Sequence, residues 1–427
     1  MMNYELFCNF ALEMKKYVLF LLFALLQLPL FAQLDESEDS TLLEADTVVC
    51  DTLSLDLPWP LNVQERLARL LNAPLLQTSQ LGLMVWDLTA DSVLFVHNHR
   101  QTMRPASTMK LFTAVAALQH LGGSYQLSTS LYIKGQHQGR TLNGNVYVKG
   151  GMDPAFDISD LREFAYQLQH LGIDTLRGSI VADVSMKDTL KWGEGWCWDD
   201  DNPTLSPLLV GKKANFTERL LNELSRSGVV VSGVSLAHGY VPSDAYLVAT
   251  CEHSLDQVLL RMMKESDNLY AEAVYYQLAA SYGSRPARAI HARTLEKQLV
   301  THQLGLHSDD YRFADGSGLS LYNYVSPELE VMLLRHAWLE PAIYAHLLPS
   351  LPIAGIDGTL KKRMKKTIAE GNVRAKTGTL TGISSLAGYC TAANGHQLCF
   401  CIINQGVMRG RDGRAFQDRV CVALCQE

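Results

Sequence analysis

Arg104-Pro-Ala-Ser-Thr-Met-Lys-Leu-Phe-Thr, residues 104 to 113, is the stretch from which the rest of the chain can be read. Ser107 and Lys110 stand three apart, just after Pro105 and at the head of an apolar run through Leu111, Phe112, Ala114, Val115 and Leu118. That pattern predicts a helix opening near the serine. Residues at i and i+3 share one helix face, so the hydroxyl and the amine point into the same space. The first turn also offers free backbone N–H groups and the positive end of the macrodipole, both suited to a developing oxyanion. A serine and a lysine so placed are a nucleophile beside a candidate base.

Two later stretches give this pair its context. Ser266-Asp-Asn268 lies between two helical patterns, and Lys376-Thr-Gly378 lies on an expected strand, followed by Thr379. Each has a plain reading, as a helix N-cap and as a strand end. Ser-x-x-Lys, then Ser-x-Asn, then Lys-Thr-Gly, in that order, is the set found in serine penicillin-interacting enzymes. The chain resembles the low-molecular-mass penicillin-binding proteins, the serine D-Ala-D-Ala carboxypeptidases and endopeptidases with a domain inserted between the first two motifs. Gly150-Gly-Met-Asp-Pro-Ala, Asp315-Gly-Ser-Gly-Leu-Ser320 and Gly355-Ile-Asp-Gly-Thr-Leu360 belong to the same resemblance, which runs from about residue 78 to the end. Met152 departs from it, standing where the family usually has a third glycine. Ser107 and Ser266 are 266 − 107 = 159 residues apart. That is short for relatives with two nested domains, so one inserted domain is expected.

The resemblance implies a fold and a division of labour. The fold is α+β: a penicillin-binding/β-lactamase-like transpeptidase domain, an antiparallel sheet with helices, carrying a smaller inserted α+β domain. Ser107 attacks the carbonyl of the penultimate D-Ala, with Lys110 as base and Ser266 as proton relay to the leaving amine. Asn268 binds the acyl-side amide, Lys376 and Thr377 take the terminal carboxylate, and Gly378 lets the substrate backbone approach. The N–H groups of Ser107 and Thr379 form the oxyanion hole. Lys110 works only when neutral, and burial together with the charge of Lys376 is expected to lower its pKa. The implied partners are peptidoglycan peptides, with β-lactams as covalent inhibitors. A serine β-lactamase and a cell-wall binding protein with weak turnover are the competing readings. Glu218-Arg-Leu-Leu-Asn222 matches a β-lactamase deacylation string but precedes Ser266 rather than following it, and reads as an ordinary helix.

Lys15 and Lys16 precede an apolar run from Tyr17 to Leu28, and Ala32 offers a small residue for cleavage. Residues 1–32 therefore read as an export signal, with Met14 an alternative start, and place the protein in the periplasm or cell-wall space. A twelve-residue run is too short to span a membrane, so no span is expected after cleavage. Gln33 to Pro60 holds eight acidic and no basic residues, the composition of a solvated tether. Residues 61–123 and 251–427 are expected to form the discontinuous catalytic domain, and 124–250 the insert. A net charge of −7 argues against nucleic acid. No cofactor is implied, and neither the cysteine spacings nor any HExxH string suggests a metal. Asn394-Gly395 predicts a two-residue hairpin that would set Cys390 opposite Cys399, as buried thiols rather than a bridge.

Overall fold

The run from Leu398 to Ile403 has no polar side, because the strand that contains it is covered on both faces. The computed structural model describes residues 57–199 and 202–427, all within one unit, Thr52–Glu427. The expected export signal and most of the acidic tether lie outside the described residues.

The first part of the chain gives α1 (Leu61–Leu70), β1 (Gln80–Asp87) and β2 (Ser92–His97). A 3-10 turn (Ala106–Met109) then leads into α2 (Lys110–Leu121). Next come β3 (Gln126–Gln138), β4 (Thr141–Gly150), α3 (Ile158–His170), β5 (Thr175–Arg177) and β6 (Ser179–Asp183). They are followed by α4 (Phe216–Arg226), β7 (Ser235–His238) and β8 (Tyr246–Ser254). Five helices succeed them: α5 (Leu255–Lys264), α6 (Asn268–Ser281), α7 (Ala289–His302), α8 (Pro327–Leu339) and α9 (Pro341–Ser350). The chain closes with β9 (Arg374–Leu380), β10 (Ile383–Thr391), β11 (Gln397–Gln405) and α10 (Gly410–Cys425).

One sheet is antiparallel, in the order β2-β1-β11-β10-β9. Side chains alternate across a strand. Leu398, Phe400 and Ile402 therefore join Phe416, Val420 and Leu424 of α10 on one face. Cys399, Cys401 and Ile403 join α2, α6 and α8 on the other. Each fully buried leucine or phenylalanine in these layers stabilises the fold by roughly 1.5–3 kcal/mol. Strand β9 is an edge, and its outer side faces the start of α2.

Residues 126–254 build a second sheet, ordered β7-β6-β4-β3-β8 with β5 beside β4, joined by antiparallel and parallel pairs. Phe156, Phe164 and Phe216 lie within 6.4 Å of one another beneath it. Helix α3 opens on a capping box in which Asp157 and Asp160 each accept from the other's end of the first turn. No described helix is long and apolar enough to cross a membrane.

Two local expectations fail. The β10–β11 turn has three residues between the Ala392–His396 pair, with Gly395 at φ 87, not the two expected from Asn394-Gly395. The extra residue slips the register, so Cys390 pairs with Leu398 and Cys399 with Tyr389. A one-residue slip reverses the faces, and the two thiols lie in different cores. The apolar run from Val229 to Leu236, whose composition predicts a strand throughout, is strand only from Ser235, since Gly233 turns the chain at φ 80.

Candidate active site

The turn that carries Ser107 is fixed by backbone that ordinary residues rarely adopt. Ala106 sits at φ 50, a left-handed conformation that costs an alanine about 1–2 kcal/mol. The neighbouring Pro105 carbonyl accepts from Thr108 Oγ1 at 2.9 Å and Ser385 Oγ at 2.5 Å. Strand β10 and the turn itself thus hold the backbone around Ser107. Ser266 is also left-handed, at φ 56, in the tight link between α5 and α6. Strain of this kind persists where surrounding contacts over-determine it, and it clusters at functional sites.

Asp267, next to Ser266, caps α6 by accepting from the N–H groups of Leu269 and Tyr270. Burial opposes its charge, yet Lys212 and Arg261 hold its carboxyl below the ordinary aspartate value. Capping and ion pairing together aim Ser266 and Asn268 at the start of α2.

Lys110 is fully buried, and its Nζ donates to Ser107 Oγ (3.0 Å), Asn268 Oδ1 (2.7 Å) and the Ser317 carbonyl (2.7 Å). Burial lowers its pKa to about 8, although Asp315, Glu272 and Asp267 pull in the opposite direction. Lys376 Nζ donates to Ser266 Oγ and the Thr377 carbonyl, each at 2.8 Å. Burial, then the charge of Lys110, push Lys376 well below the lysine value. The two amines are thus coupled, and both are lowered, with burial the larger cause in each.

Strand β9 completes the arrangement. Ala375 N donates outward to the Pro352 carbonyl, away from β10. Period-two alternation puts the N–H groups of Thr377 and Thr379 on the same outer edge. Thr377 Oγ1 donates to Thr359 Oγ1 at 2.8 Å. A Cβ on Gly378 would come within 2.1 Å of Ser385 Oγ, 2.7 Å of the Pro105 carbonyl and 3.0 Å of Ser107 N, so only glycine fits. Ser107, Lys110 and Asn268 form one hydrogen-bonded group and Ser266 and Lys376 a second, with Gly378 packed against the Ser107 backbone. Thr377 and Thr379 line the open edge.

The D-Ala-D-Ala carboxypeptidase 3 (S13) family model matches residues 63–209 and 209–426. The chain belongs to this family.

Among S13-type relatives, the D-alanyl-D-alanine carboxypeptidase DacB of Haemophilus influenzae is 27% identical, over 78% of this chain and 86% of that protein. The D-alanyl-D-alanine carboxypeptidase of an Actinomadura species is 27% identical, over 90% of this chain and 88% of its own. The crystal structure of penicillin binding protein 4 from H. influenzae superposes with a TM-score of 0.76 at 24% identity, covering 85% of this chain and 98% of that one. The penicillin-binding/β-lactamase-like α+β fold expected from the three motifs is therefore the fold observed.

Several groups around this S13 site carry no motif. Glu272 is buried and accepts from Gly316 N (3.0 Å) and Ser317 N (2.9 Å), which sets the Ser317 carbonyl toward Lys110. Burial first, and the nearby Asp315 charge second, raise its pKa to about 8. Asp315 binds Gly318 N, Ser320 N, Asn323 Nδ2, Ser317 Oγ and Trp196 Nε1, locking that loop. The signal for Glu272 was present: it is a lone charge in Leu-Tyr-Ala-Glu-Ala-Val-Tyr-Tyr, a helix turn otherwise without polar faces. Met152, the departure from the glycine pattern, is buried at φ 56, a conformation a glycine adopts freely. Glu218 is exposed on α4 and accepts from Thr217 Oγ1, so the β-lactamase string is an ordinary helix surface.

Proposed function

We propose that this chain is an exported serine D-Ala-D-Ala carboxypeptidase acting on peptidoglycan stem peptides. D,D-endopeptidase cleavage of cross-links is the same chemistry on a larger leaving amine. The observation that carries the reading is the Lys110 amine, fully buried, held near pKa 8 and 3.0 Å from Ser107 Oγ. A base must reach the proton it takes and be partly unprotonated at working pH. Near neutrality about one Lys110 in ten is neutral at that pKa.

Neutral Lys110 takes the Ser107 proton as Oγ bonds to the carbonyl carbon of the penultimate D-Ala. The N–H groups of Ser107 and Thr379 receive the oxyanion. Collapse breaks the amide, and Ser266 passes its hydroxyl proton to the departing amine while taking one from the lysine pair. Asn268 and the outer edge of β9 hold the peptide as an added strand. Lys376 and Thr377 meet the terminal carboxylate. Water, deprotonated by the same lysine, then cleaves the ester and restores Ser107. Residues 124–250 are proposed as a domain inserted into the catalytic one, and residues 1–32 as the signal that takes the protein to the cell-wall space.

Digestion of purified muropeptides by the mature protein tests this reading. Release of D-Ala from pentapeptide stems, abolished by Ser107→Ala, is the expected result. Intact pentapeptides alongside hydrolysed penicillin would favour a β-lactamase.

A further inference from the structure

Away from the serine site, the second sheet gathers a different set of side chains. Cys251 and His253 lie two apart on β8, so strand alternation points both to one face. Asp160, in the first turn of α3, meets them there. The thiol sulfur, an imidazole nitrogen and a carboxylate oxygen all lie within 4.8 Å of one another. Behind them Asp153, fully buried, accepts from His253 Nδ1 at 2.6 Å. His253 Nε2 is left facing Asp160 Oδ2 at 3.9 Å, beyond hydrogen-bonding distance.

We infer that Cys251, His253 and Asp160 form a binding site for a zinc-type divalent cation, with Asp153 fixing the imidazole that points Nε2 at the ion. Four features support it. Cysteine, histidine and aspartate together are a donor set that suits Zn2+ and not Ca2+ or Mg2+, which take oxygen alone. Two nitrogen or oxygen ligands of a tetrahedral zinc sit about 3.4 Å apart, so the observed 3.9 Å closes with a small side-chain rotation. A buried carboxylate on the non-ligating nitrogen is the usual support of a metal-bound histidine. Asp153, Asp157 and Asp160 surround a single imidazole, an excess of negative charge that a dication offsets.

The opposing effect is the positive end of α3, worth about 0.3–1 kcal/mol against a cation. The two carboxylates of its own first turn, Asp157 and Asp160, reverse the local sign. Burial and these acids hold the Cys251 thiol protonated in the free protein. Binding therefore expels the thiol proton to solvent as the sulfur–metal bond forms. Three protein ligands leave the fourth position to water.

The ion would act as a brace. Gly151, two residues before Asp153, accepts through its carbonyl from Gln277 of α6, the helix that begins with Asn268. The site thus ties β8 and α3 to the loop that rests on the helix bearing a motif residue. The pair was passed over in the sequence because its third ligand comes from a distant helix.

Cobalt titration of the reduced mature protein tests the site, with zinc as competitor. Cys197, exposed on the surface, is replaced by serine in every sample to remove a competing thiol. One equivalent of Co2+ should give the thiolate-to-cobalt band and the intense visible bands of a four-coordinate ion, and Zn2+ should erase both. Cys251→Ser should abolish the thiolate band, and Asp153→Asn should weaken binding by about 10–100-fold. Zn2+ should raise the melting temperature of the parent but not of His253→Gln, with circular dichroism showing that the variant folds. Absence of a thiolate band in the parent overturns the site. So does cobalt binding that survives both Cys251→Ser and His253→Gln unchanged.

Discussion

Lys376 Nζ lies 2.8 Å from Ser266 Oγ, and burial together with the charge of Lys110 pushes this amine well below the ordinary lysine value. Two ammonium groups buried together cannot both stay charged. Asp315, Glu272 and Asp267 hold the Lys110 pKa up against burial, whereas burial and the charge of Lys110 both lower that of Lys376. Lys376 is therefore poised to accept a proton, and Ser266 stands beside it to exchange one.

The most direct consequence concerns the nucleophile. Mature protein incubated with a fluorescent penicillin should gain a covalent label, and Ser107→Ala should lose it. Turnover of D-Ala-D-Ala peptides by that variant should fall by roughly 10⁴–10⁶-fold. Gel fluorescence and muropeptide chromatography read the two effects, and labelling that persists would move the nucleophile elsewhere.

The pH dependence of acylation follows from Lys110. In the proposed mechanism its neutral form is the base, so the rate should rise with pH through a midpoint near 8 and then level off. Glu272, when charged, raises the Lys110 pKa, so Glu272→Gln should move the midpoint to lower pH. Burial and the charge of Lys110 push Lys376 toward its neutral form, which Lys376→Gln mimics. The substitution should cut the rate and leave the midpoint in place. Second-order acylation rates against pH for the three proteins decide this, and a Lys376→Gln midpoint displaced by a unit would mean Lys376 is charged.

Binding a carboxylate should also carry a proton. If Lys376 is neutral in the free protein, a ligand ending in a free carboxylate binds best to its protonated form. Ser107→Ala titrated with a D-Ala-D-Ala peptide should then take up protons, and an amidated peptide should take up fewer. Calorimetry in buffers of different ionisation enthalpy measures the difference; equal uptake would detach the effect from the carboxylate.

These predictions rest on residues that differ in how plainly the sequence announced them. The three motifs were legible because each has a local cause: an α2 start, a helix cap at Asp267 and an edge strand. β10 and β11 were legible as strands, but their register was not. Register hangs on whether Gly395 closes a two- or a three-residue turn, and both use the same Asn-Gly pair. Strand β8 was hidden since its residues are exposed or half-buried, without a strong apolar face. Glu272, Asp315 and the Ser317 carbonyl act through burial and backbone direction, which no spacing encodes. The carboxylates that hold the Lys110 pKa up were missed for the same reason, because they are brought from α6 and the loop at Asp315.

Gly378 offers the sharpest steric test. A methyl group there would overlap Ser385 Oγ and press on both the Pro105 carbonyl and the Ser107 nitrogen. Ser385 can rotate, but its bond to the Pro105 carbonyl is then lost, and that bond helps hold the nucleophile's turn. The remaining contact falls on backbone and cannot be relieved by a rotamer. Gly378→Ala should therefore displace the Ser107 backbone and its oxyanion-directed N–H by a fraction of an ångström to an ångström. Misplacement of that order costs about 10²-fold in rate. The loss should appear in acylation by penicillin and by peptides alike, since both need the same oxyanion geometry. Global stability should change by far less, because β9 is an edge strand whose pairing with β10 continues on either side. Acylation kinetics alongside thermal melting separate the two effects. Parental acylation rates in Gly378→Ala would show that the nucleophile's turn is not braced against β9.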